Sequence, residues 1–225
     1  MHHPISYNEI VSTVAKALFG LALPPGVDTE NAKNIAWLEA NKLDGVSILV
    51  DEIATIDRLG QWPVPEIENA DEQLIITSSL PSSLVLAQMS LDFAEIGKTV
   101  TIKMCSVPLI IFAEAARRAT KSKGFRLRWV VDGIMIEGIC GSGWSDINIP
   151  PQFKSSSADV IISNHNSDRP PTAAICDAHY NDSLSKGMMV DPECWNTINR
   201  LAKTTLVPSS VHSRASAGAE VDDSN

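Results

Sequence analysis

Arg126-Leu-Arg-Trp-Val-Val-Asp-Gly-Ile-Met-Ile-Glu-Gly-Ile139 is the stretch that decides the fold class. Two runs rich in β-branched and large apolar residues flank Asp132-Gly133. That dipeptide suits a type I′ turn, whose two central residues both take positive φ. The stretch therefore reads as a β-hairpin, and neighbouring segments with the same period extend it into a sheet. Upstream, Lys98–Met104 alternates threonine with valine and isoleucine, and Leu74–Thr77 reads as a shorter strand. Downstream, Ala158–Ser163 is a third strand candidate. Ser83–Phe93 fits both periods: alternation would place Leu84, Leu86, Gln88, Ser90 and Asp92 on one face, but a helix accommodates them too.

Helices interrupt these strands. Ser106 is the expected cap of a helix with Pro108 in its first turn, where the missing N–H costs nothing. Leu109, Phe112, Ala113 and Ala116 form its apolar stripe, and Gly124 is its expected stop. Asp191-Pro192-Glu193 opens the last helix with a cap, a first-turn proline and an acid at the positive end of the dipole. Trp195, Ile198, Leu201 and Ala202 supply its stripe. Gly141–Trp144, Pro150-Pro151, Asn164–Pro171 and Asn181–Gly187 read as loops.

The first third has a helical period instead. Ser6 and Glu9 form a capping box ahead of Ile10, Val14, Ala17 and Leu18, with Gly20 as the stop. A second helix is expected over about residues 29–41, capped by Asp28, with Ile35 and Leu38 inward; a third covers Val46–Ala54. Glu30, Lys33 and Trp37 are spaced to share one face of the second. Between Asp57 and Glu72 the chain is acidic and broken by prolines. The expected organisation is a helical subdomain over residues 1–56, a linker over 57–72, an α+β domain over 73–205 and a terminal segment over 206–225. The fold class is α+β, an N-terminal helical subdomain packed on a mixed or antiparallel sheet with additional helices.

Composition excludes several functions. A net charge of −9 over 225 residues, without clustered Lys and Arg, argues against binding a phosphate backbone. Arg117, Arg118, Lys121 and Lys123 form the densest basic patch, and a solvated helix end accounts for it. No apolar run reaches the ~18 residues of a membrane span, and no signal-peptide core precedes or follows Glu9. Four cysteines without a CxxC pair read as reduced thiols of a cytoplasmic protein. No phosphate-loop or dinucleotide fingerprint is present, and the histidines lack metal-ligand spacing, so neither a cofactor nor a metal is expected.

Two places remain for chemistry. Cys105 stands where a strand passes into a helix N-terminus, a position that activates a thiol if the sulfur is exposed; a buried structural thiol is the plainer reading. The other place is Leu206–Asn225, which gathers hydroxyls, an arginine and acids without an apolar run. Arg214 offers a planar fork for a carboxylate or carbonyl, Ser210 and Ser213 donate and accept, and Gly218 lets backbone amides approach a ligand. A docked arm, a ligand site and a frayed tail are the three readings of this segment.

Three sets of residues carry a resemblance. They are Ser6-x-Asn-Glu9, then Gly26-x-x-x-Glu30-x-x-Lys33-x-x-x-Trp37-Leu38, and the ending Val207-Pro-Ser-Ser210-x-x-Ser213-Arg214-x-x-x-Gly218-Ala219. Together they resemble a proteobacterial domain-of-unknown-function family whose members close on a motif of the VPxSExSRxxGAG type. The resemblance implies that Ser210, Ser213, Arg214 and Gly218 are the matched positions of that ending, and it weighs against a frayed tail. It supplies positions and no reaction. The chain departs from the motif at Val211, where a glutamate is expected, and at Glu220, where a glycine is expected.

The functional expectation is an enzyme of small-molecule catabolism acting on a carboxylate- or amide-bearing metabolite. Arg214 would hold the anionic group, Ser210 and Ser213 would orient it, and Glu30, Lys33 and Trp37 would form a second wall. The alternative is a non-catalytic accessory or assembly subunit whose C-terminal segment clasps a partner or a dimer mate, in a homo-oligomer or a hetero-complex. Neither expectation involves nucleic acid or a membrane.

Overall fold

A computed structural model describes residues 4–21, 23, 26–57, 64–150, 156–165 and 176–205. The deciding hairpin forms as expected. Strand β4 (Gly124–Val131) pairs antiparallel with β5 (Ile134–Gly141), from Phe125↔Cys140 to Val131↔Ile134. Asp132 and Gly133 take φ of 51° and 78°, both positive as the turn requires. Alternation buries Phe125, Leu127 and Trp129 while Arg128 and Val130 face solvent. A second tight turn at Ser142-Gly143 leads into β6 (Trp144–Ile147), so the segment read as a loop ends in an edge strand.

Strand β7 (Ala158–His165) inserts between β4 and β3 (Thr99–Cys105), antiparallel to both. Beyond β3 lie β2 (Gln73–Thr77) and β1 (Glu66–Ala70), and the seven strands run in the order β1-β2-β3-β7-β4-β5-β6. Only β2 and β3 are parallel, a pairing that needs a crossover. Helix α1 (Tyr7–Gly20), α2 (Val27–Ala40) and α3 (Gly45–Asp57) precede the sheet, and α4 (Ser83–Glu95) supplies that crossover. The ambiguous Ser83–Phe93 stretch is therefore helical. The sheet is mixed and the fold α+β with N-terminal helices, as the sequence implies.

Three further elements complete the chain: α5 (Pro108–Arg118), α6 (Cys176–Lys186) and α7 (Pro192–Thr204). Helices α4 and α5 cover one face of the sheet. Helix α2 lies on α5, and α1, α3 and α7 pack around α2 and one another. The opposite sheet face is open to solvent at Ile161, Arg128, Val130 and Met135.

Several local expectations are corrected. Glu66–Ala70, inside the stretch read as a linker, is an edge strand whose five residues are all exposed. It has no apolar alternation to betray it, and its acids Glu66 and Glu68 guard the edge against further pairing. Asn181–Gly187 is helical through Lys186, not a loop; α6 is held by packing on α2 and β6 and by Ser183, which donates to the Ala40 carbonyl at 2.8 Å. Gly26, at φ 89°, caps α2 in place of Asp28, whose carboxylate accepts from the Gly26 and Thr29 amides. Val107 caps α5 in place of Ser106, because the Ser106 hydroxyl is engaged elsewhere, and α5 stops at Arg118, leaving Gly124 to open β4. Asp191 does cap α7, accepting from the Glu193 and Cys194 amides, and Ser6 caps α1.

The layers interlock through one aromatic contact. A Cβ on Gly138 of β5 would lie 2.6 Å from the Phe112 ring, so glycine is what lets that ring settle on the sheet. Phe112, fully buried on α5, meets Trp37 of α2 edge to face, centroids 5.9 Å apart and planes at 75°. Gly138→Ala is expected to displace Phe112 and lower stability by about 1–3 kcal/mol, the usual range for an overpacked core. A thermal melt compared with the parent checks this.

Candidate functional site

The fold leaves a cavity of about 310 Å³ where α1, α2 and α5 meet the β5–β6 turn and α6. Tyr7, Trp37, Trp144 and Tyr180 wall it, and Asn41 and Arg117 contribute polar groups. Each arrives from a local rule of folding. Tyr7 opens α1 directly after the Ser6 cap, while Trp37 and Asn41 lie one turn apart at the end of α2. Arg117 sits in the last turn of α5, where a cation complements the negative end of the dipole. Trp144 follows the Gly143 turn. Tyr180 projects from α6 and meets Tyr7 edge to face at 6.1 Å.

Arg117 is positioned by a partly buried network. Its guanidinium donates to the Glu30 carboxylate at 2.8 Å, the Glu30 carbonyl at 3.2 Å, the Glu114 carboxylate at 3.2 Å and the Asn34 side chain. Glu30 also takes the Lys33 ammonium at 2.6 Å. Burial pushes the Glu30 carboxyl upward, but the hydrogen bonds from Lys33 and Arg117 outweigh it and hold the group below its ordinary value. For Glu114 the balance is reversed: burial wins over Asn34 and the two arginines, and its pKa rises. Tyr7 is pushed up to about 12 by burial and by Tyr180, so it stays protonated and acts as a hydrogen-bond donor, here to the Lys33 carbonyl at 3.3 Å.

Asn41 is buried against this cavity, at 6% exposure. Its side-chain Nδ2 donates to the Trp37 carbonyl at 2.8 Å. That contact fixes the amide's orientation, since reversing it would set two oxygens against each other. The remaining Oδ1 is buried and has no partner among the described residues. Just beyond it Lys42 and Asp44 take φ of 60° and 49°, left-handed conformations unusual for residues with a Cβ.

Glu30, Lys33 and Trp37 do gather at one place with different tasks: Glu30 holds Arg117, Lys33 holds Glu30, and Trp37 lines the cavity. Ser210, Ser213, Arg214 and Gly218 lie outside the described residues. Cys105 is fully buried, its sulfur 3.2 Å from the Ser83 hydroxyl, and burial pushes the thiol up to about 12 despite that hydrogen bond, so no thiolate forms near neutral pH. Tyr7, Asn41, Arg117, Trp144 and Tyr180 carried no motif. One compositional signal did exist: the chain has two tyrosines, and both line this cavity.

A second polar centre lies under α3. The Glu52 carboxylate, 3% exposed, accepts hydroxyl hydrogens from Ser82 at 2.6 Å and Ser106 at 2.7 Å beside a smaller cavity of about 160 Å³. Ser83 then bridges Ser106, Cys105 and the Val107 amide. Among the described residues no group of three or more His, Cys, Asp or Glu side chains is arranged to hold a metal, and no helix is long and apolar enough to cross a membrane.

Residues 5–78 match the model of a family described as a protein of unknown function, DUF3726. The resemblance read from the sequence thus holds from α1 through β2. No curated protein sequence matches the chain. Solved structures do match in shape. Malate dehydrogenase from Pyrococcus horikoshii shares 10% identity over 93% of this chain and 97% of its own, with a TM-score of 0.66. Sulfolactate dehydrogenase from Methanocaldococcus jannaschii shares 9% over 90% and 97%, with a TM-score of 0.63. A dehydrogenase from Sinorhizobium meliloti shares 10% over 90% and 100%, with a TM-score of 0.64. At such identities the fold is what is shared.

Burial raises the Glu52 pKa above its ordinary 4.5, against the hydrogen bonds from Ser82 and Ser106. A carboxyl raised in the folded state contributes stability that is complete below its unfolded pKa and is lost as pH rises through the folded one. Glu52→Gln keeps an oxygen for both hydroxyls and abolishes the titration. The melting temperature of Glu52→Gln relative to the parent is therefore expected to climb as pH is raised from about 4.5 toward neutrality, the unfolded-state value being the ordinary one. Paired thermal melts across that range check it.

Proposed function

We propose that this protein acts on a small carboxylate- or amide-bearing metabolite held in the cavity between α1, α2, α5 and the β5–β6 turn. The observation that carries the reading is Arg117. Its NH2 nitrogen has two hydrogens and one acceptor among the described residues, the Glu30 carboxylate, so a donor remains for a ligand oxygen. Four aromatic rings in the same cavity supply contact area. The volume stands at the lower end of the range for ligand sites, ~300–1,000 Å³, which suits a metabolite of a few carbons. Two structural neighbours are dehydrogenases named for malate and sulfolactate, small carboxylates, in keeping with a ligand of that size. The free thiols Cys105, Cys140 and Cys194 suit a reducing, cytoplasmic setting.

Arg214, with Ser210, Ser213 and Gly218, is the rival anion anchor, and variants separate the two. Malate and succinamate titrated into the parent are expected to raise the melting temperature and to change the tryptophan emission, because Trp37 and Trp144 line the cavity. Arg117→Lys keeps the charge and loses the fork, and is expected to weaken binding at least about tenfold. Arg214→Ala is expected to behave as the parent. Loss of binding in Arg214→Ala alone would move the anchor to the terminal segment.

A second reading, a non-catalytic subunit that clasps a partner or a dimer mate, draws on the open sheet face, where Val130, Met135 and Ile161 are about half exposed. Under it, removing residues 207–225 changes the mass measured by light scattering. Under the first reading the mass stays constant.

A further inference from the structure

We propose that the open face of the sheet docks a second copy of this chain, two sheets stacking face to face about a two-fold axis. This stands apart from the ligand reading, and it differs from the clasp in leaving residues 207–225 out of the contact. Strand register places Val130 opposite Met135 across the hairpin, and Ile161 opposite Arg128, two residues before Val130 on the same face. The three apolar side chains are 48%, 53% and 46% exposed. Ile75 and Ile139, half-buried, point the same way by the period of two. An antiparallel face meant for water alternates to polar residues. Here apolar side chains recur on that face in four strands, β2, β7, β4 and β5.

Charge selects the occupant. The chain carries −9, so two copies repel in most orientations. On this face each anion has its cation: Lys103 holds Asp159 at 2.7 Å, and Arg128 holds Glu137 at 2.6 Å with Arg126 beside it at 3.5 Å. A face that is close to neutral and carries its own counter-charges meets its copy without repulsion, as a two-fold contact requires. Joining of two sheets at the β1 edge is opposed by the exposed acids Glu66 and Glu68. The end of the chain is badly placed to cover the face. Helix α7 packs on α1 and α3, which lie beyond α2 and α5 from the sheet, and Leu206–Asn225 has no apolar run. The area also suffices. Strands β3, β7, β4 and β5 have seven or eight residues each. At about 4.8 Å between strands and about 3.3 Å per residue they span roughly 19 by 25 Å. Two such faces give about 1,000 Å² before side-chain relief is counted, the size at which specific interfaces begin.

Light scattering of the full chain at rising concentration is expected to give twice the mass of one chain. Ile161→Lys and Met135→Lys each put an unpaired cation on the face and are expected to weaken the dimer at least tenfold. Ile67→Lys, the same kind of change on exposed β1, is expected to leave the mass doubled. Thermal melts show whether each variant is folded; Ile161→Thr, which suits an exposed strand position, is read in place of one that is not, with several-fold weakening expected. A parent that stays monomeric at every concentration would overturn the proposal, and so would face variants that keep the doubled mass. Loss of the dimer on removing residues 207–225 would overturn it in favour of the clasp.

Discussion

The contact on which the rest depends is the edge of Phe112 against Trp37, made possible by the missing side chain at Gly138. Phe112 is trapped between a strand and a helix that belong to different layers. Its ring lies 2.6 Å from where a Cβ at position 138 of β5 would stand, and its edge meets Trp37 of α2. Aromatic pairs of this geometry contribute about 0.5–1.5 kcal/mol beyond the area they bury. The positional consequence is larger than the energetic one. Trp37 also lines the cavity, so a cavity wall on a helix is indexed directly to the sheet.

Electrostatics ties the same layers together at two further points. At one, Arg117 of α5 reaches Glu30 and Asn34 of α2, so the helices are joined by charge as well as by apolar packing. At the other, Glu52 of α3 receives Ser82, ahead of α4, and Ser106, between β3 and α5. The two carboxylates differ in what surrounds them. Glu30 faces cations and its pKa falls; Glu52 faces only neutral donors and its pKa rises. Glu30 is also the less buried of the two, so two cations outweigh its loss of solvation, whereas two hydroxyls do not offset that of the nearly enclosed Glu52.

This division also explains what could be read from the sequence. The hairpin was legible because Asp132-Gly133 and the period of two agree, and α7 was legible because Asp191, Pro192 and Glu193 each suit a helix start. Where local rules agree with the tertiary structure, reading is reliable. Strand β1 was not legible, since an exposed edge strand needs no apolar face and Glu66–Ala70 has none. Helix α6 was not legible either, because its hold on the fold is partly a hydrogen bond from Ser183 to a carbonyl far away in sequence. Ser106 has the right type for a cap, but its hydroxyl serves Glu52, a residue distant in sequence that no local pattern announces.

The candidate site shows the same limit more sharply. Of the Glu30–Lys33–Trp37 face, helical spacing captured the grouping but not its purpose, which depends on Arg117 arriving from α5. Tyr7, Trp37, Asn41, Arg117, Trp144 and Tyr180 come from five parts of the chain, and no short pattern contains two of them except the i, i+4 pair on α2. The family match over residues 5–78 spans Tyr7, Trp37 and Asn41 and stops before Arg117, Trp144 and Tyr180. The matched segment thus supplies aromatic wall and acceptor, and the remainder of the chain supplies the cation and the opposite wall. A cavity divided in this way can keep its shape while its chemistry changes on one side. Resemblance of fold to dehydrogenases at 10% identity or less is compatible with a different set of groups inside, and function follows from those groups and not from the fold.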